Sequence, residues 1–164
     1  MALVRDAVTL QEAGQPGVRF LSVLPAQVVL ADLDPTMIGQ ALTNLIKNAG
    51  EAIETRRERE ATPFEPTVQV MLEAQGAEAC ITIEDNGIGL PEDRSRLFEP
   101  YVTTRDKGTG LGLPIVKKIV EEHGGALSLE DAVQGRGARA VLRLPIKART
   151  QVEAVNQKQA RRAV

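Results

Sequence analysis

The sequence predicts an α+β protein, a two-layer sandwich in which helices pack on one face of a mixed, mostly antiparallel sheet. Two observations lead to this class. Several short segments alternate apolar and polar residues and end at turn residues, as strands of hairpins do, and between them lie stretches whose apolar residues recur at helical spacing. With 164 residues, of which 43% are hydrophobic and 26% charged, the chain has the length and composition of about one globular domain.

The chain is predicted to open with a helix and a hairpin. Residues 2–14 have apolar residues at helical spacing and end on a glycine, which indicates a short helix. Residues 18–23 and 27–33 are predicted to be strands on either side of Pro25. Their proximity favours a hairpin.

A long helix and a second hairpin follow. Asp34 and Pro35 are typical of a helix start, because a capping carboxylate precedes proline at the first helical position, and the helix is expected to run to about residue 57. Residues 67–75 and 78–86 alternate around a glycine turn and predict the second hairpin. The apolar stripe of the helix consists of Ile38, Ala41, Leu42, Leu45, Ala49 and Ala52.

The last third of the chain alternates helices and strands again. A short helix is predicted at 91–98, and a longer one at 111–123 that two glycines close. Residues 126–131 and 138–145 are predicted to be strands. We expect one domain over residues 1–146, followed by a charged tail at 147–164 that is loosely ordered.

Composition and charge argue against several classes of function. Aromatic residues make up 2% of the chain and the formal net charge is −2, whereas nucleic-acid-binding surfaces are usually basic and single-strand binders stack bases on aromatic rings. No nucleic-acid partner is therefore expected. The single cysteine, Cys80, excludes an internal disulfide and lies in an alternating segment, which favours a strand residue over a nucleophile. No apolar run approaches the roughly 20 residues of a membrane span.

Two glycine clusters indicate a ligand site. In "EDNGIGL", Asp85, Gly87 and Gly89 follow an apolar strand, and in "GTGLGL" three glycines precede a helix. Glycines expose backbone N–H groups and a helix N-terminus favours anions, so a phosphate is the expected ligand. The spacing matches neither a Walker A loop nor a dinucleotide-binding fingerprint. Taken alone, each cluster is equally compatible with an ordinary glycine turn.

Two asparagines add a third element. Asn44 and Asn48 lie one turn apart on the long helix, at the border of its apolar stripe. They are either a hydrogen-bonded, half-buried amide pair or oxygen ligands for a hard cation such as Mg²⁺ held against phosphates.

In this order, the motifs resemble the catalytic, ATP-binding domain of bacterial sensor histidine kinases, in the superfamily that includes gyrase B, Hsp90 and MutL. "NLIKNAGEAI" is similar to the N box of that family, "DNGIGL" to the G1 box, "LFEPYVTT" to the F box and "GTGLGL" to the G2 box. The stretch "LFEPYVTTRDKGTGLGLPIVKKIVEEHGG" most resembles the nitrogen-regulation sensors of the NtrB and NtrY kind. The resemblance covers about residues 30 to 145 and implies the ATP-binding Bergerat fold.

The resemblance implies a role for each motif residue. Asp85 would accept a hydrogen bond from the adenine amino group, Gly87 and Gly89 would let the base approach the backbone, and Asn48 would bind Mg²⁺. Residues 99–107 would form an ATP lid with Phe98 packed at its base. The residues implied to bind ATP are Asn44, Asn48, Asp85, Gly87, Gly89, Lys107, Gly108, Thr109, Gly110, Leu111, Gly112 and Leu113.

The resemblance also implies candidate catalytic residues, namely Asn44, Arg105 and Lys107. Hydrolytic relatives typically have a glutamate at the position of Asn44, and an amide cannot replace it as a general base. Arg105 and Lys107 are equally compatible with solvated loop charges. Where the family usually has a hydroxyl residue after its last glycine box, this chain has Ala138, so no nucleotide contact is expected there.

The implied function is to bind Mg-ATP and supply the γ-phosphate to a histidine on a separate dimerisation domain of a two-component kinase. The single histidine, His123, ends a helix and is not expected to accept phosphate. The chain therefore looks like a cytoplasmic, monomeric fragment of a larger homodimeric kinase. That parent could be anchored in the inner membrane, with a response regulator of the NtrX or NtrC kind downstream.

Two other interpretations stay open at this point. One is a conformational ATPase of the gyrase B, Hsp90 or MutL type, in which nucleotide drives dimer closure. The other is a serine kinase module similar to anti-sigma factors. The compact length and the F box favour the histidine kinase over both.

Overall fold

The computed structural model describes residues 1–100 and 112–147. Within these ranges a single sheet of five strands is combined with three helices. In chain order the elements are α1 (Ala2–Gly14), β1 (Arg19–Val23), α2 (Pro35–Arg59), β2 (Thr67–Gln75), β3 (Glu78–Asp85), α3 (Gly112–Glu122), β4 (Ala126–Asp131) and β5 (Ala138–Pro145). The predicted tail lies outside the described residues from position 148 onward. None of the described helices is long and apolar enough to cross a membrane.

The sheet has the strand order β1-β2-β3-β5-β4. The β1–β2 pair is parallel and the other three pairs are antiparallel, so the sheet is mixed and mostly antiparallel, as predicted. Parallel neighbours need a crossover connection, and α2 provides it between β1 and β2.

The helices cover one face of the sheet. On β3, alternate residues Ala79, Ile81 and Ile83 are buried, and Asp85 continues this series at the end of the strand. The facing side of α2 is the predicted apolar stripe, extended by two isoleucines: the buried residues are Ile38, Ala41, Leu42, Leu45, Ile46, Ala49, Ala52 and Ile53. Each large aliphatic side chain buried here contributes about 1.5–3 kcal/mol. The core thus places the Asp85 carboxylate at the end of the row of buried apolar side chains on β3.

The start of α2 is fixed by two neighbouring groups. The Asp34 carboxylate accepts hydrogen bonds from the N–H groups of Thr36 (2.9 Å) and Met37 (3.1 Å), as an N-cap should. The Asp34 N–H in turn donates to Nε2 of His123 at 3.1 Å, while Nδ1 of His123 lies 2.7 Å from the carbonyl of Ile119. The neutral imidazole with its proton on Nδ1 satisfies both contacts. His123 therefore joins the end of α3 to the start of α2.

The predicted hairpin around Pro25 is wrong. Residues 27–33 form no strand, and β1 pairs with β2 instead. The alternation is nevertheless real, because Val29 and Leu33 pack against the core while Val28 and Leu30 are exposed. The period-2 pattern reports alternating burial of an extended segment and carries no information about a hydrogen-bonded partner.

The short helix predicted at 91–98 is also wrong, because the segment forms successive turns. The Asp93 carboxylate accepts from Ser95 Oγ (2.6 Å) and Ser95 N (3.0 Å), a local arrangement that competes with helical hydrogen bonds. These two bonds, the side-chain one first, lower the pKa of Asp93 below its ordinary value of 3.8. Arg94 reaches away to Asp131 on β4 at 2.6 Å.

Candidate functional site

Asp85, the last residue of β3, is the buried carboxylate of the site. It is 7% exposed, and its Oδ1 accepts hydrogen bonds from the backbone N–H groups of Gly87 (2.8 Å) and Ala138 (3.4 Å). An ionised carboxylate is acceptor-only, so these donors suit the charged form.

Gly87 packs directly on the backbone of α2. A Cβ added at this position would come closer than 3.0 Å to backbone atoms of both Ala52 and Ile53. The next residue, Ile88, donates its N–H to the Ala52 carbonyl at 3.0 Å. Only glycine allows this approach, and the turn after Asp85 is thereby attached to α2.

The side chain of Asn86 attaches the same turn to β2. Its Oδ1 accepts from the N–H of Thr67 (2.9 Å) and its Nδ2 donates to the carbonyl of Glu65 (2.7 Å). The turn that carries Asp85 and Gly87 is therefore held from both sides.

The start of β5 closes the other side of Asp85. Gly137 has a φ of +130°, and an added Cβ would overlap the backbone carbonyl of Asp85. Gly89, with a φ of +86°, faces this same glycine. The sequence prediction assigned no role to Gly137 and claimed no nucleotide contact at Ala138. The glycine pair in "GRGARA" was the available signal that two backbone segments meet here.

Asn48 lies where α2 meets the start of α3. A Cβ built on Gly112 would be 4.0 Å from both Oδ1 and Nδ2 of Asn48, so the amide faces the bare backbone of the first α3 residue. Asn44 is half-buried one turn earlier on α2. Leu113, also predicted to contact nucleotide, packs its side chain against the core.

α2 links the two halves of the site. Ala52, which accepts from Ile88, lies one turn beyond Asn48, a rise of about 6 Å along the helix. One half offers a buried carboxylate between close-packed backbone segments, and the other offers an amide beside a helix N-terminus. Such a pair of subsites fits a ligand with a hydrogen-bond donor at one end and negative charge at the other.

The remaining predicted residues lie in the predicted lid and on either side of it. Phe98, before the predicted lid, is half-buried, and the Lys117 ammonium lies 5.0 Å from its ring centroid. Most of the lid is outside the described residues, and so are Arg105, Lys107, Gly108, Thr109, Gly110 and Leu111.

A dedicated cage of acidic, histidine or cysteine ligands does not occur within residues 1–100 and 112–147. A single amide oxygen in this part of the chain is still compatible with Mg²⁺. Magnesium needs few protein ligands when waters and phosphates complete its shell, and the Asn48 amide supplies one hard oxygen beside Gly112.

Comparison with known proteins identifies relatives of the whole described fold. Nitrogen regulation protein NtrY of Azorhizobium caulinodans is 48% identical over 151 residues, which cover 89% of this chain and 18% of NtrY. The solved chain of the mycobacterial sensor histidine kinase MprB superposes with a TM-score of 0.74 at 26% identity, over 90% of this chain and 94% of the solved one. Full-length ShkA in complex with AMPPNP has a TM-score of 0.74 at 25% identity, over 90% of this chain and 30% of ShkA.

The family match covers the fold from α2 onward, including the described site residues. Residues 33–148 match the family described as histidine kinase-, DNA gyrase B-, and HSP90-like ATPase. This range includes α2 with Asn44 and Asn48, the turn after β3 and the start of α3. The chain therefore belongs to the histidine kinase-, DNA gyrase B- and HSP90-like ATPase family, in which it resembles sensor histidine kinases.

Proposed function

We propose that the chain binds Mg-ATP along α2 and supplies the γ-phosphate to a histidine on a separate dimerisation domain of the same kinase. The observation that carries the proposal is the buried Asp85 carboxylate, held by the N–H groups of Gly87 and Ala138. The turn after Asp85 binds the Ala52 carbonyl, about one helical turn along α2 from Asn48, whose amide faces the Gly112 backbone.

Asp85 and its glycines would bind the adenine end. The carboxylate would accept a hydrogen bond from the exocyclic amino group, and Gly87 and Gly89 would leave room for the base to lie against the backbone. A ligand without a donor at this point would lack a charge-assisted hydrogen bond to Asp85, and adenine would be preferred for that reason.

The start of α3 would bind the phosphate end. The N–H groups at Gly112 and the helix dipole favour negative charge. Asn48 would hold Mg²⁺, which neutralises phosphate charge when bound. Asn44 offers an amide where a hydrolytic enzyme needs a base, so the chain would bind ATP and hydrolyse it slowly. We further propose that Arg105, Lys107 and the glycines of "GTGLGL" complete the phosphate subsite.

The partners follow from the relatives. The similarity to NtrY supports a kinase of a nitrogen-related two-component system with a response regulator of the NtrX or NtrC kind. The chain spans 18% of NtrY, so the phosphoacceptor histidine and the dimer contacts would be provided by other parts of the parent. We place this domain in the cytoplasm, with a parent anchored in the inner membrane.

Calorimetric titration with ATP and Mg²⁺ tests the adenine contact. Asp85→Asn should weaken ATP about tenfold or more, since it places an amide donor against the adenine amino group. Asp32→Asn is the matched control, because Asp32 is 82% exposed and pairs with Lys147. Unchanged ATP affinity in a folded Asp85→Asn variant would remove Asp85 from the nucleotide site.

A further inference from the structure

Arg56 makes a contact with the turn after Asp85 that the family motifs do not include. It lies one turn beyond Ala52 on α2, and its side chain is 16% exposed. Its Nη1 donates to the backbone carbonyl of Asn86 at 2.7 Å. This part-buried hydrogen bond is charge-assisted and therefore stronger than one between neutral groups.

The guanidinium of Arg56 is itself held in place on two sides. Its centre lies 4.0 Å from the centroid of the Phe64 ring, a distance at which cation–π attraction operates. Its Nε donates to Glu60 Oε2 at 3.1 Å. The planar group thus has one well-defined orientation, which points its remaining donors at Asn86.

The Asn86 carbonyl and the Gly87 N–H belong to one planar peptide unit. In a trans peptide these two groups point in opposite directions. Arg56 binds the carbonyl end, and the N–H end donates to Asp85 Oδ1 at 2.8 Å. The Arg56 hydrogen bond therefore orients the Gly87 N–H that donates to Asp85. It also polarises that N–H group.

Glu60 extends the same network to the opposite side of Asp85. Its second oxygen contacts Arg136, which directly precedes Gly137 and the Ala138 N–H that also reaches Asp85 Oδ1. The two backbone segments that enclose the carboxylate are thus linked through Arg56 and Glu60.

We infer that Arg56 is a positioning residue for Asp85 and sets the selectivity for the adenine amino group without touching the nucleotide. The inference rests on the proposed function, in which Asp85 accepts from that amino group. Loss of the Arg56 contact should release the Asn86–Gly87 peptide, and the carboxylate would then occupy several orientations. Recognition of the amino group should weaken while the phosphate subsite at Asn48 and Gly112 is unchanged.

The experiment compares two nucleotides, because a general loss of structure would weaken both. One is Mg-ATP and the other is the Mg complex of purine riboside triphosphate, which has hydrogen in place of the amino group. Arg56→Met removes the guanidinium while keeping an unbranched, flexible side chain of similar helix propensity. Its matched control is Arg57→Met, since Arg57 faces the other way and donates to the Gly17 carbonyl at 3.0 Å.

We expect Arg56→Met to weaken ATP by about tenfold and to leave the affinity for the deamino analogue within about twofold of the wild type. Arg57→Met should change neither affinity. In an Asp85→Asn background, Arg56→Met should cause no further loss of selectivity, because the two residues act through one contact. Arg56→Lys, which retains one charged donor, should recover part of the preference.

Distinct outcomes would overturn the inference and the proposed function. If the wild type does not prefer ATP to the analogue, or if Asp85→Asn keeps that preference, Asp85 does not bind the amino group and both fail. The inference alone is overturned if Asp85→Asn removes the preference for ATP but Arg56→Met does not. Arg56→Met would fail the test either by keeping that preference or by lowering the affinities for both nucleotides equally.

Discussion

At the scale of single residues, the two amides on α2 differ in what their neighbours allow. Asn48 faces the backbone at Gly112, at the N-terminus of α3, where phosphate and a bound cation would meet. Asn44 lies one turn earlier and is half-buried. An amide oxygen can ligate Mg²⁺, but an amide cannot take a proton from water near neutral pH. The pair is therefore suited to holding Mg-ATP and unsuited to hydrolysing it.

Asn48→Ala should therefore weaken ATP only when Mg²⁺ is present. We expect a loss of about tenfold with Mg²⁺ and equal affinities of variant and wild type in EDTA. Calorimetric titration in the two buffers measures both. Gln40→Ala is the control, because Gln40 is an exposed residue of the same helix. An equal loss in both buffers would assign Asn48 a structural role and contradict the magnesium contact.

At the scale of elements, two glycines on or against α2 differ in the space around them. Gly39, in the second turn of α2, has no atoms near its missing Cβ apart from the helix itself. Gly87, on the turn that crosses α2, would bring a Cβ closer than 3.0 Å to the α2 backbone. Alanine substitution should therefore raise the stability of the domain at Gly39 and lower it at Gly87.

Gly39→Ala should stabilise the domain by about 0.5–1 kcal/mol, because alanine loses less conformational entropy in a helix. Gly87→Ala should destabilise it by about 1–3 kcal/mol, the range for overpacking, and should also weaken ATP since the turn after Asp85 must move. Urea unfolding of the two variants measures both changes. A Gly87→Ala variant as stable as the wild type would mean that the turn does not rest on α2.

The elements that sequence patterns predicted are those with strong local signals. Asp34 and Pro35 mark the start of α2, and the alternation in 67–75 and 78–86 marks a hairpin whose strands are adjacent in the chain. The partner of β1 has no local signal, because the parallel strand β2 follows only after α2. The segment at 91–98 has apolar Leu97 and Phe98 but no apolar stripe. Turn hydrogen bonds therefore prevail over a helix there.

The site residues also differ in whether local sequence or long-range packing brings them together. Asp85, Gly87 and Gly89 are close in sequence and could be predicted as a cluster, whereas the meeting of Asn48 with Gly112 depends on the packing of α2 against α3. It was predicted only through the family resemblance. Gly137, Ala138 and Arg56 act on Asp85 through contacts between distant segments. The glycine pair in "GRGARA" indicates a close backbone approach, but no pattern within one segment identifies Asp85 as the neighbour.

At the scale of the whole molecule, the domain combines a nucleotide site with no suitable phosphoacceptor among its described residues. Both ring nitrogens of its only histidine, His123, are engaged, by the Asp34 N–H and the Ile119 carbonyl. This geometry agrees with the proposed function, in which the acceptor histidine lies on a separate dimerisation domain.

The central proposal is that this domain supplies the γ-phosphate of ATP to a histidine on a separate domain. Phosphotransfer from γ-labelled ATP tests it most directly. The domain should be incubated with labelled ATP and Mg²⁺, alone and with the histidine-bearing dimerisation domain of its own parent. The Asp85→Asn variant, with its weakened ATP binding, serves as the control. We predict acid-labile label on the added domain, no label on this chain and slow phosphate release throughout. Acid-labile label on this chain alone, or rapid phosphate release without a partner, would contradict the assignment as a histidine kinase catalytic domain.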